Sequence, residues 1–287
     1  MVYLTHFEFP DIETEYDFTM GQKRTCYDTF YPFLVLSKHR LAMLDFEPVT
    51  ILYGGNGSGK TTALNIITEK LALERDTLYN RSNFFEDYTR LCSYRTGRNA
   101  GIPRGSRMIA SDDVFDFMLN LRGINDGIDR RREELFEDYL DAKYSHFQMR
   151  SMDDYEQMKK VNMARSSTQS KYIRKNLMDN VREHSNGESA FLYFTDKIKE
   201  KGLYLLDEPE NSLSPEKQQE LVKFLEDSAR FFSCQFIIAT HSPFLLSMRG
   251  AKIYDMDEEV VDVKRWTELK NVRTYYEFFH KYREEFE

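Results

Sequence analysis

The chain of 287 residues carries 48 acidic against 40 basic side chains, a net charge of −8, which excludes a whole-molecule basic field drawing it onto nucleic acid or anionic lipid. Its three cysteines, Cys26, Cys92 and Cys234, lie far apart without a C-x-x-C spacing, so neither a disulfide framework nor a zinc site is expected, and the usage fits a reducing cytoplasm. No apolar run approaches the roughly 18 residues of a membrane span, and the acidic start of the chain (Glu8, Asp11, Glu13, Glu15) does not read as a secretory signal.

Residues 1–53 read as β-rich, with strands expected over Val2–Phe9, Glu15–Phe18, Tyr31–Leu36 and Leu41–Phe46, and a turn at Ser37–Arg40. A short, apolar, β-branched run follows, Val49–Tyr53, which predicts a buried strand. Next comes Gly54-Gly55-Asn56-Gly57-Ser58-Gly59-Lys60-Thr61-Thr62, and then apolar residues at helical spacing over 63–71. Strand, glycine loop and helix form the context in which G-x-x-x-x-G-K-[ST] binds phosphate. Glycines let successive N–H groups of Asn56 to Thr62 point inward at phosphate oxygens, and the helix adds its unpaired N–H groups and positive dipole end. Lys60 is placed to reach the β- and γ-phosphates, and the Thr61 hydroxyl to ligate Mg²⁺. A nucleoside triphosphate is therefore the expected ligand. Phe30, Tyr31 or a basic group of the 37–40 turn are candidates to touch its base or ribose, although a solvated turn and core aromatics are the plainer reading.

From 73 to 123 the pattern weakens. The glycine- and arginine-rich stretch 95–106 predicts a loop, Met108–Ala110 a short strand, and Ser111 or Asp112 an N-cap before the apolar helix residues that follow. Residues 124–184 read as a separate helical section, with Leu135, Tyr139, Leu140, Tyr144 and Phe147 at helical spacing, and likewise Ile173, Leu177 and Val181. Its charge is lopsided: 126–156 holds ten acids against five bases, while 157–185 holds seven bases against two acids. Pairing of the two halves as antiparallel helices is expected, with a break at Ala164–Ser170; a partner or nucleic acid meeting Lys159, Lys160, Arg165, Lys171, Arg174 and Lys175 is the alternative.

Alternation of strand and helix returns over 189–282. A helix over 190–200 leads to a strand at Leu203–Leu206, a helix over 215–232 capped by Ser214 with Pro215 at its first position, a strand at Gln235–Ala239, a strand at Lys252–Met256 and a terminal helix over 268–286. Such order predicts a largely parallel sheet with helices on its faces. The first of these strands ends in Asp207 and Glu208. Asp207 can hold Mg²⁺ opposite Thr61, and Glu208 stands where a general base would orient or deprotonate an attacking water. The next strand runs into His241, whose imidazole can bond a γ-phosphate. Ser185-Asn186-Gly187-Glu188 opens a helix, another geometry suited to an anion.

In this order the set resembles the ABC-type ATPases: phosphate loop, Ser185-to-Glu188 signature, the Asp207-Glu208 pair and the His241 switch. Within that superfamily the chain is similar to the soluble, SMC-like branch of chromosome-maintenance and DNA-repair ATPases rather than to transporter subunits. The run Asp207-Glu208-Pro209-Glu210-Asn211-Ser212-Leu213 and a signature lacking the transporter version's leucine and glutamine point that way, and Leu246 to Met256 resembles small stand-alone bacterial ATPases. The resemblance implies an α/β P-loop NTPase head over 1–123 and 185–287, β-rich at its start, with a mostly parallel core sheet and a helical subdomain inserted at 124–184. It further implies ATP and Mg²⁺ as ligands and hydrolysis of ATP, with catalysis by Glu208, His241 and Lys60. Ser185, Asn186, Gly187 and Glu188 of one chain would complete, in trans, the site of the other in an ATP-dependent head-to-tail homodimer. An alternative is an ATP-gated regulatory module, in DNA repair or defence, acting on a separate effector protein with slow or negligible turnover. Two departures stand out: the family's long coiled-coil arm has no room here, and the glutamine that ligates Mg²⁺ has no counterpart, Ser111, Asp112 or Asp113 occupying its region.

Overall fold

The computed structural model describes residues 1–23, 27, 29–98, 101–145, 155–177 and 186–287. Cys26, Phe147, Val181 and Ser185 lie outside the described residues. Two compact units are present, one made of 1–115 with 186–287, the other of 116–185.

The first unit is an α/β fold built on a six-stranded sheet of order β5-β6-β7-β3-β8-β9. Its members are β3 (Val49–Tyr53), β5 (Arg107–Ala110), β6 (Leu203–Asp207), β7 (Gln235–Thr240), β8 (Lys252–Asp255) and β9 (Asp262–Val263). Every pairing is parallel except β8 with β9. β3, β6 and β7 are buried at every position, as expected of strands covered on both faces. Register aligns Ala110 with Asp207, Asp207 with Ala239, and Tyr53 with Thr240, so the strands end together along one edge. Helix α2 (Lys60–Leu71) follows β3, and α8 (Pro215–Phe231) joins β6 to β7. Ser214 caps α8 by accepting from the Lys217 N–H, with Pro215 at its first position. A second, antiparallel sheet of order β2-β1-β4 is made of β1 (Leu4–Glu8), β2 (Met43–Asp45) and β4 (Ser93–Thr96). Gln235, fully buried, ties β1 to the main sheet: its Oε1 accepts from Tyr3 and Leu4 N–H at 2.8 and 2.9 Å, and its Nε2 donates to Leu4 O at 2.7 Å.

Three local expectations are corrected. Glu15–Phe18 is not a strand but part of helix α1 (Ile12–Met20), started by Asp11, whose side chain accepts from Thr14 N–H at 2.8 Å. Tyr31–Leu36 forms turns leading into a 3₁₀ turn at Ser37–His39, because Leu34 (φ 61°) and Arg40 (φ 51°) take left-handed backbone that no strand accommodates. Arg95 and Thr96 are not loop; they pair with β1 in β4.

Helix α4 (Ser111–Tyr144) begins in the first unit and supplies the start of the second, which adds α5 (Tyr155–Ser166) and α6 (Gln169–Asn176). Leu135, Tyr139, Ala164, Tyr172 and Ile173 form the second unit's core. The expected break narrows to Ser167–Thr168 between α5 and α6. Arg130, Arg131 and Arg132 pair with Asp126, Glu134 and Asp129 of their own helix, so acids expected to face the basic half are met from within α4. Lys159, Lys160, Arg165, Lys171 and Arg174 are exposed. Among the described residues no helix is long and apolar enough to cross a membrane.

Candidate functional site

The loop between β3 and α2 folds as its glycines demand. Gly59 takes φ 91° at the N-cap of α2, and a Cβ there would come within 2.9 Å of Leu36 Cδ2. A Cβ on Gly54 would lie 2.5 Å from Ser58 Oγ, so both positions are closed to larger residues. Lys60, 4% exposed, donates from Nζ to the carbonyls of Gly54 at 2.6 Å and Gly55 at 3.0 Å. The Ser58 hydroxyl is buried in this loop without a hydrogen-bond partner among the described residues. An orphaned hydroxyl among inward-curling glycines suits a phosphate oxygen.

Sheet register brings the strand-end residues to this loop. Thr61 Oγ1 donates to Asp207 Oδ1 at 3.0 Å across the end of β7. Burial pushes the Asp207 carboxyl up to about 6, against the opposing pull of the Thr61 hydrogen bond, with Glu208 adding to the rise. Glu208 takes left-handed backbone (φ 47°, ψ 53°), a conformation costing about 1 kcal/mol for a non-glycine residue, which turns the chain sharply out of β6. Its Oε1 lies 4.0 Å from Lys60 Nζ and 3.7 Å from His241 Nδ1, and its Oε2 accepts from Asn211 Nδ2 at 3.0 Å. Lys60, Thr61, Asp207, Glu208 and His241 thus meet on one sheet edge. Hard oxygen donors at Thr61 and Asp207 are of the kind Mg²⁺ takes from protein when phosphates and water supply the rest.

Of the signature residues, Asn186, Gly187 and Glu188 fall within the described residues. Gly187 and Glu188 open α7 (Asn186–Lys197), and a Cβ on Gly187 would meet Lys217 Cγ at 3.6 Å and Ser212 O at 3.9 Å. Asn56 lines a cleft of about 410 Å³ together with Gly54, Gly55, His241, Asp257 and Asn271. Of the nucleotide-base candidates, Tyr31 reaches the phosphate-loop helix, its hydroxyl 3.2 Å from Thr62 Oγ1. In the region of the missing glutamine, Asp113 is 3% exposed; its Oδ2 accepts from Ala110 N–H at 2.6 Å and its Oδ1 has no partner among the described residues. Asp113, the third residue of α4, thus ties the helix start back to the N–H of the strand residue before it.

Three contributors escape sequence reasoning. Asp257, just past β8, accepts from the Gly55 N–H at 2.7 Å and so braces the phosphate loop. Asn271, in α10 (Lys270–Lys281), donates from Nδ2 to the His241 carbonyl at 2.8 Å and from its backbone to the Tyr53 hydroxyl at 3.0 Å. Glu210 accepts from Thr240 Oγ1, His241 N–H and Ser242 N–H, all on one oxygen. An acid directly after a strand was the available signal for Asp257; Glu210 was visible only as part of an acidic run, and Asn271 had none. Beyond His241, an apolar cavity of about 760 Å³ is walled by Phe244, Trp266, Tyr275, Tyr276 and Phe279 and shares Glu210 and His241 with the site.

None of the curated proteins matches this chain. Among solved structures it is similar to the Smc head domain of Pyrococcus furiosus, with its extended coiled coil and bound to the C-terminal domain of ScpA, at 14% identity and TM-score 0.44 over 99% of this chain and 100% of that one. The SMC head domain from Thermotoga maritima is similar at 13% identity and TM-score 0.37, covering 78% and 92%. A nucleotide-free ATP-binding cassette from an ABC transporter is similar at 13% identity and TM-score 0.38, covering 82% and 87%. The family described as "AAA domain, putative AbiEii toxin, Type IV TA system" matches residues 68–247, from within α2 to the residue after the short helix Pro243–Leu246. With well over half of its length matched, and with the phosphate loop and strand-end acids on one sheet edge, the chain belongs to this AAA_21 family of P-loop ATPases.

Proposed function

We propose that the chain binds ATP with Mg²⁺ in the cytoplasm, hydrolyses it to ADP and phosphate, and works as a head-to-tail homodimer that closes on two ATP molecules and opens on hydrolysis. The observation carrying this reading is the convergence of Thr61 on Asp207 at 3.0 Å with Lys60 and His241 within 4.0 Å of one Glu208 oxygen. The loop N–H groups of Asn56 to Thr62 hold the phosphates, and Lys60 exchanges its carbonyl contacts for phosphate oxygens. Mg²⁺ held by Thr61 and Asp207 would neutralise charge on the transferring phosphoryl group. Glu208, oriented by Asn211, takes a proton from the attacking water, and His241 offers its ring to the γ-phosphate. Ser185 to Glu188 of the partner chain would close the site from the far side.

A second reading, an ATP-gated module acting on a separate effector protein, draws support from α10. Tyr275, Tyr276, Phe278 and Phe279 are each at least 46% exposed on this helix, an apolar surface of the kind that protein partners cover. The toxin–antitoxin wording of the family description fits this reading as well.

Glu208→Gln removes the proton acceptor and keeps the side chain's shape. In ATP and Mg²⁺ this variant is expected to bind nucleotide, hydrolyse it at least about 100-fold more slowly, a loss of ~2.7 kcal/mol in transition-state stabilisation, and accumulate as a dimer. Adding Ser185→Arg should leave nucleotide binding nearly intact and return the protein to monomer. Sizing chromatography with and without ATP decides. A Glu208→Gln protein that stays monomeric in ATP, or a double variant that still dimerises, would remove the composite site and leave the phosphate loop standing.

A further inference from the structure

Glu210 is 7% exposed and uses its carboxylate one-sidedly. Oε1 accepts from Thr240 Oγ1 at 2.6 Å, from His241 N–H at 3.0 Å and from Ser242 N–H at 3.2 Å. Oε2 is buried with no partner among the described residues. Leaving a buried acceptor unpaired is unfavourable, so this carboxylate is not placed there for its own stability. Two successive backbone N–H groups closing on one anion make a nest, and a nest fixes the backbone that forms it.

The backbone in question leads directly to His241. Its ring is 42% exposed, and its Nδ1 stands 3.7 Å from Glu208 Oε1 and 3.8 Å from Glu210 Oε1, distances beyond a hydrogen bond. Among the described residues no side-chain hydrogen bond aims the imidazole; the position of residues 240–242 does. Glu210 reaches them because Glu208 turns left-handed out of β6 and a 3₁₀ turn at Pro209–Ser212 folds the chain back under the end of β7. One strand end thereby grips its neighbour, and the grip falls between the residue with a base's role and the residue with a switch's role.

We infer that Glu210 is a positioning residue, holding the 240–242 backbone so that His241 stands beside Glu208 in the assembled site. The inference rests on the ATPase reading for its kinetic consequence, and on the hydrogen bonds alone for its structural one. Glu210 touches neither nucleotide nor water in this role.

Glu210→Ala removes the nest's anion, whereas Glu210→Gln keeps an oxygen where Oε1 stands. For the alanine variant, kcat is expected to fall about tenfold or more, ~1.4 kcal/mol, with KM for ATP within about twofold of wild type, because Asn56 to Thr62 hold the nucleotide unaided. Amide hydrogen exchange at His241 and Ser242 should quicken about tenfold in the same variant, and the glutamine variant should restore both readouts to within about threefold. Thr240→Val, which deletes the hydroxyl that donates to Glu210 and accepts from the Ser242 N–H at 3.0 Å while keeping the side chain's shape, should give the same kcat-only loss in smaller measure and serves if the alanine variant fails to fold. Normal turnover by Glu210→Ala, a rise in KM matching the fall in kcat, or a glutamine variant as impaired as alanine while exchange stays slow would each overturn the inference. Should the wild-type protein hydrolyse no ATP, the ATPase reading falls, and amide exchange in the two Glu210 variants still decides whether this carboxylate holds the loop.

Discussion

Asp207 carries a charge that the fold does little to welcome. Its carboxyl, raised to about 6 by burial, binds a proton more tightly in the folded chain than in the unfolded one. Between about pH 4 and pH 6 the folded state therefore holds more protons, and stability falls as pH rises through that window. Above it the ionised carboxylate costs on the order of 1–3 kcal/mol. Without Mg²⁺ or nucleotide, Asp207→Asn is expected to raise the melting temperature at pH 8 and to gain much less at pH 5. Mg²⁺ with ATP should stabilise wild type by more than the asparagine variant, which keeps the phosphate loop but loses a metal ligand. Thermal unfolding at the two pH values checks both, and an equal gain at each would mean that ionisation is not the cause. For a residue with the Mg²⁺ role proposed above, an acid destabilised by its own burial is the expected signature of a stability–function compromise.

At the scale of elements, Glu15 does for the N-terminal region what Glu210 does at the sheet edge. It is fully buried in α1 and accepts from the Leu34 N–H, from Ser37 Oγ at 2.8 Å and from Tyr88 Oη at 3.0 Å, joining α1, the 30–40 segment and α3 (Phe85–Leu91). Glu15→Ala, which strands three donors, is expected to destabilise the chain by about 2–4 kcal/mol, and Tyr88→Phe by about 1 kcal/mol. Denaturant unfolding of the two single variants and their double would show a coupling of about 0.5 kcal/mol or more if the contact is real, and additivity if it is not. This element was invisible in the sequence for a physical reason. Glu15-Tyr16-Asp17-Phe18 alternates in polarity like a strand, and only the Asp11 cap and a distant cluster of donors make it a helix. By contrast β3, the phosphate loop and α2 were legible because their conformations are dictated locally, by β-branched residues, by glycines and by helical spacing. The acids ending β6 and the histidine after β7 were legible for the same reason. Asp257 and Asn271 were not, since their use depends on chain segments about two hundred residues away in sequence being brought to the loop and to Tyr53.

For the whole molecule, parallel strands ending in register put the phosphate loop, the paired acids and the histidine on one edge, although β3 and β6 are separated by some 150 residues. Ligands in open α/β sheets bind along such edges. The same edge carries α10 and its aromatic wall, and there the arrangement has an optical consequence. Trp266 is the chain's single tryptophan, and it stands in the wall of the cavity that also contains His241 and Glu210. At 39% exposure its indole is neither sealed from water nor fully in it, so a small movement of the wall changes its surroundings appreciably. Selective excitation of tryptophan therefore interrogates one place in a chain of 287 residues. Titration of the wild-type protein with ATP and Mg²⁺ should shift that emission saturably, and Lys60→Ala should flatten the response while leaving the unliganded spectrum unchanged. A flat wild-type titration, set against independently measured nucleotide binding, would mean that α10 does not feel the phosphates. A saturable one would make the unlabelled protein its own fluorescent gauge of the nucleotide it holds.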